Sequence, residues 1–173
     1  LAPFFEALGV TPIIVRYGYF FLLQTRLRND NVARKVCAAV KAARFNYDEI
    51  YVVGHSNGCS IAELASRMPG FSCDGFTFIS PALRRDQPLQ PGVAKLHVWH
   101  SPSDLPVSLT KYLPFRGNWG RMGAVGYKGA PDSRIVNFNK ERDFLLSSKS
   151  HSDVFEYDLI PYFGPVIAEK TVS

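Results

Sequence analysis

The chain has no apolar run approaching the roughly 18 residues that would carry a helix across a bilayer, so no membrane span is expected. The longest run, YFFLL at Tyr19 to Leu23, is short and reads as core or pocket wall. Cysteine is scarce, and neither Cys nor His falls into a ligand spacing such as CxxC or HxxxH, which argues against a structural or catalytic metal. The three cysteines, Cys37, Cys59 and Cys73, sit in apolar settings and read as reduced core thiols, favouring a cytoplasmic protein. Blocks of one charge are also missing. The net charge is +5, but Lys and Arg are scattered, so no nucleic acid partner is indicated. No charged n-region, apolar h-region or cleavage site opens the chain. It begins on Leu1 rather than Met, and the expectation is that its true beginning lies upstream.

What is present suits one globular domain over residues 1–173, with 46% hydrophobic and 20% charged residues. After a short helix candidate, LAPFFEAL, the run TPIIVRYG (Thr11 to Gly18) is β-branched and nearly unbroken, as expected of a strand buried on both faces. Asn29 to Asn31 offer caps for a following helix whose stripe is Val32, Val36, Val40 and Ala43. EIYVVG (Glu49 to Gly54) is a second buried strand, followed by the helix CSIAELASRM, stopped by Pro69-Gly70. GFTFIS, KLHVWH and RIVNF complete five strand candidates; a polar loop and a terminal helix, YFGPVIAEKTV, follow the last. Alternation of strands and helices predicts an α/β fold, a mostly parallel sheet in a three-layer α/β/α arrangement.

One stretch does not fit the alternation. Glycine recurs at every third position from Gly117 to Gly129, inside an excursion spanning about residues 114 to 133. It lacks the Gly-Lys-Ser/Thr ending of a phosphate loop and the repeats of a collagen-like helix. A long loop near the active face, anchored by Trp119 and Tyr127, is expected, against the rival reading of a solvated excursion without function.

The sharpest signal is YVVGHSNGCS, Tyr51 to Ser60: a buried strand runs into Gly54-x-Ser56-x-Gly58 and a helix begins at once. A serine on such a turn is held in a strained conformation that leaves its hydroxyl exposed, and the glycines make room for the tight backbone. The helix N-terminus offers free N–H groups to a developing oxyanion, with the backbone N–H of Asn57 as first donor. Here the chain resembles the α/β-hydrolase superfamily of serine esterases and lipases. In that family the acid follows a later strand and the histidine precedes the last helix. The resemblance implies Ser56 as nucleophile, Asp104 in SPSDLPV as triad acid and His151 in KSHSDVF as base. Asp86, after the preceding strand, competes with Asp104. His55 lies inside the turn, and His97 and His100 belong to a strand ahead of Asp104, which leaves His151 as base. Cys59 is expected to pack beneath the turn.

Matched against the family sheet of eight strands, the five candidates correspond to the fourth through the eighth, and the first three are absent. The third normally lies mid-sheet and leads into the loop that donates a second oxyanion N–H; that donor is unknown here. An upstream segment or a partner chain would complete the sheet, or the chain is a weakly active scaffold. LAPFFEAL, which fits the helix after the missing strand, favours the upstream segment. The resemblance implies hydrolysis of ester or thioester bonds through an acyl-enzyme, with no cofactor. Tyr17, Tyr19, Phe20, Phe21, His55 and Trp119 are the aromatic candidates for the pocket of a small acyl substrate. Amide, epoxide and haloalkane substrates also occur in the family, though a serine nucleophile argues against the last two. The alternative is a hydrolase-fold protein used for binding or assembly. The tail HSDVFEYDLIPYFGPVIAEK also resembles small hydrolase-like proteins encoded by tailed phages.

Overall fold

The computed structural model describes residues 1–16, 22–109, 119–144, 151–156 and 159–173. Four strands form one all-parallel sheet in chain order: β1 (Tyr51–His55), β2 (Gly75–Ile79), β3 (Leu96–His100) and β4 (Ile135–Asn139). The helices are α1 (Ala2–Glu6), α2 (Leu22–Ala43), α3 (Asn57–Ser66), α4 (Leu105–Leu109), α5 (Met122–Val125), α6 (Lys140–Phe144) and α7 (Ile160–Val172). No described helix is long and apolar enough to cross a membrane.

Side-chain alternation along the strands divides the core between the two faces of the sheet. Phe76, Phe78, Leu96 and Val98 join Val32, Val40, Cys59, Ile61 and Ala65 of α2 and α3 in one buried cluster. Ile79 and Trp99 point the other way, into a smaller cluster with Phe163 and Ile167 of α7. Trp99 stacks on both Phe138 and Phe144, at centroid distances of 4.8 and 5.0 Å. On that face, the hydroxyls of Thr77 and Thr171 share a hydrogen bond of 2.8 Å between sheet and helix.

Two sequence expectations are corrected. Thr11–Arg16 forms no strand; Ile13 and Ile14 are 56% and 65% exposed, and β2 is the neighbour of β1 among the described residues. A β-branched run becomes a strand only where a ladder partner and a packed face receive it, so composition alone over-read this segment. The second concerns α2, which starts at Leu22 rather than at the Asn29–Asn31 caps. The stripe of Val32, Val40 and Ala43 is buried as predicted, but Asn29 lies inside the helix and spends its amide elsewhere. Tyr17, Tyr19, Phe20 and Phe21, together with residues 114–118 of the glycine-rich excursion, lie outside the described residues.

Residues 122–124 of that excursion are wedged into the core. Met122, Gly123 and Ala124 are buried, and their backbone bonds to the segment after β2 and the turn after β3: Met122 N–H to Leu83 O (2.9 Å), Gly123 N–H to Pro81 O (2.8 Å) and Ser101 N–H to Gly123 O (2.9 Å). A Cβ at Gly123 would stand 2.6 Å from the Ser80 carbonyl carbon and 2.9 Å from Pro81 N, both backbone atoms. Gly123→Ala is therefore expected to cost roughly 2 kcal/mol or more, read as a lower urea midpoint, because the strand end itself must shift.

Candidate active site

Ser56 follows β1 and caps α3 with φ 53° and ψ −120°, a left-handed backbone that a non-glycine residue adopts at a cost of roughly 1–3 kcal/mol. Three bonds over-determine the turn: Ser56 N–H donates to Ile79 O at 3.0 Å, and Ser56 O accepts from Cys59 N–H (3.1 Å) and Ala82 N–H (3.3 Å). The Ser56 side chain does not cap α3, so its hydroxyl is not committed to the helix. Gly54 is tightly packed on the turn: a Cβ there would lie 3.0 Å from Cys59 N and 3.1 Å from the Gly58 carbonyl carbon. Cys59, fully buried beneath the turn with its thiol pushed up by burial, is packing as expected. Asn57 opens α3, so its backbone N–H has no acceptor within the helix. No second oxyanion donor is identified among the described residues.

Asp104 and His151, 47 residues apart, are in contact. His151 Nδ1 lies 2.9 Å from both carboxylate oxygens of Asp104. A carboxylate only accepts, so Nδ1 carries the proton and Nε2 is left as a basic lone pair. The Asp104 side chain is fully buried and that of His151 is 17% exposed. Asp104 also accepts from Val107 N–H at 3.1 Å at the start of α4, where the helix end favours negative charge. Asp86, the rival acid, instead forms a surface ion pair with Arg84 at 2.9 Å.

His55 plays a part that the sequence did not reveal. Its Nε2 lies 3.1 Å from the backbone carbonyl of His151, which fixes the proton on Nε2, and its ring packs on those of His151 (4.9 Å) and Phe155 (4.8 Å). The residue beside Ser56 thus holds the backbone of the histidine loop. Burial lowers the His55 pKa from 6.5 to about 4. The folded chain keeps His55 neutral down to about pH 4, whereas an unfolded chain binds a proton near pH 6.5. Stability is therefore expected to fall as pH drops through this window, by up to about 3 kcal/mol from His55. His97 and His100, also lowered by burial, add in the same direction. Urea melts from pH 7 to pH 4 are expected to show this slope and to show it reduced in His55→Gln.

Asn29 was also misread from sequence. It and Asn57 exchange two amide hydrogen bonds, at 3.0 and 3.1 Å, tying α2 to the residue after Ser56. Of the pocket candidates, His55 belongs to the histidine loop contact and Trp119 is half-buried beside Gly120, where a Cβ would stand 2.6 Å from Arg84 Cα. No group of three or more His, Cys, Asp or Glu side chains among the described residues could hold a metal ion. Compared with protein-family models, curated proteins and solved structures, the chain matches none.

Proposed function

We propose that the protein is a serine hydrolase of ester or thioester bonds, a single α/β-hydrolase-like domain acting through an acyl-enzyme. The observation that carries this reading is the buried Asp104–His151 pair on the same chain as a serine held at φ 53° between strand and helix. Ser56 Oγ attacks the acyl carbon while His151 Nε2 takes its proton, and Asp104 stabilises the resulting imidazolium. The Asn57 N–H stabilises the oxyanion. The imidazolium then gives its proton to the departing alcohol or thiol as the carbon–heteroatom bond breaks. Water, activated by the same imidazole, cleaves the acyl-enzyme and restores Ser56. These steps use no cofactor. Free, buried Cys37, Cys59 and Cys73 support a reducing, cytoplasmic setting.

The rival reading, a hydrolase-fold protein used for binding or assembly, draws on the position of β1 at the outside of the described sheet with Val53 exposed. Rapid-mixing assays with p-nitrophenyl esters from acetyl to dodecanoyl, and the corresponding thioesters, separate the two. The hydrolase reading expects turnover above that of Ser56→Ala, with a burst of leaving group where deacylation is slow. Equal rates for the two proteins on every substrate would favour the assembly reading.

A further inference from the structure

A lysine in a polar stretch such as NKERD reads as solvated, yet Lys140 is fully buried and Asp153, two residues past His151, is 2% exposed. The Lys140 ammonium donates to Asp153 Oδ1 and to Ser80 Oγ, both at 3.1 Å. Ser80 follows β2 at φ 48°, next to Ile79, whose carbonyl accepts the Ser56 N–H. One ammonium therefore spans the floor under the nucleophile and the loop carrying the base. Asp153 Oδ1 also accepts from Val154 N–H at 2.8 Å, the start of a 3-10 turn whose Phe155 ring packs on His55. The neighbouring residue serves the acid in the same way: Glu141 Oε1 accepts from the Ser101 hydroxyl and from Ser103 N–H (3.1 Å), fixing the turn that ends in Asp104.

We propose that Lys140 is a positioning residue for the reaction proposed above, its buried pair with Asp153 holding the His151 loop in register with Asp104 and Ser56. An ion pair taken fully out of water is a poor source of stability, since an apolar pair of similar volume often serves as well. What Lys140 and Asp153 supply, and an apolar pair would not, is direction. Two hydrogen bonds from one atom, one to the strand end and one to the loop, fix where the loop sits, and displacement of a catalytic base by about 1 Å can cost on the order of 100-fold in rate.

The test compares the native chain with Lys140→Met/Asp153→Leu, which removes both charges. Three quantities are read: thermal midpoint, the downfield proton resonance of His151 Nδ1–H bonded to Asp104, and the kinetics of Ser56 acylation by a fluorophosphonate. The double variant is expected to stay folded, to lose or broaden the downfield resonance, and to acylate at least roughly tenfold more slowly at saturation with an unchanged half-saturating concentration. A folded double variant that keeps both the resonance and the native acylation rate overturns the proposal. If it does not fold, Lys140→Met alone decides, since it removes both directed bonds while Asp153 keeps the one from Val154 N–H. A severalfold slower acylation supports positioning, and a native rate overturns it. Should Ser56 of the native chain not react at all, the hydrolase reading fails, while the His151 resonance still reports whether the pair positions the loop.

Discussion

Replacing Ser56 with alanine is expected to lower acyl transfer by on the order of 10⁶-fold, to the level left by binding and a preformed oxyanion site. The fold should survive, because the native turn is held by backbone bonds from Ser56 to Ile79, Cys59 and Ala82 rather than by the hydroxyl. Alanine, with no helix-capping bond to lose, leaves the strain of the left-handed φ at position 56 in place. The predicted signature is thus an unaltered unfolding midpoint with a lost rate, measured by urea melts beside ester turnover. A variant that lost stability and rate together would indicate that the hydroxyl is structural.

Asp104→Asn should be the next most damaging change, on the order of 10⁴-fold in kcat. In the native chain the carboxylate can only accept, so it selects the His151 tautomer with the proton on Nδ1. An asparagine presenting its NH₂ would instead favour the proton on Nε2, leaving no basic lone pair at that nitrogen. The expected pattern is a large fall in kcat with little change in KM, partly recovered at alkaline pH. Asp86→Asn, which touches only the exposed pair with Arg84, is expected to leave kcat within about twofold. Reversal of the two effects would move the acid to the earlier strand and remove the basis for reading the Asp104–His151 contact as catalytic.

The elements that could be read from sequence are those whose physics is local. EIYVVG, GFTFIS, KLHVWH and RIVNF are short apolar runs bounded by turn residues and all became strands; CSIAELASRM and YFGPVIAEKTV carry helical spacing and became α3 and α7. The turn at Ser56 was legible because strand, glycine spacing and helix are contiguous, and the Asp104–His151 contact was expected only from the resemblance, which places an acid after a later strand and a histidine before the last helix. What was not legible depends on contacts distant in sequence. Ile13 and Ile14 have the composition of a strand but no ladder among the described residues. Asn29 looked like a helix cap because its partner, Asn57, is 28 residues away. Lys140 gave no signal at all, since a lysine announces burial only through the carboxylate that will meet it, here 13 residues downstream. Asp153, two residues past His151, is the other half of that pair.

The measurement that bears most directly on this account is the intact mass of the native protein before and after a fluorophosphonate, with peptide mapping of the adduct and Ser56→Ala as control. One phosphonyl group per chain is expected, mapped to Ser56 and absent from the variant. A folded native chain that stays unmodified, or a modification that persists in Ser56→Ala, would contradict it.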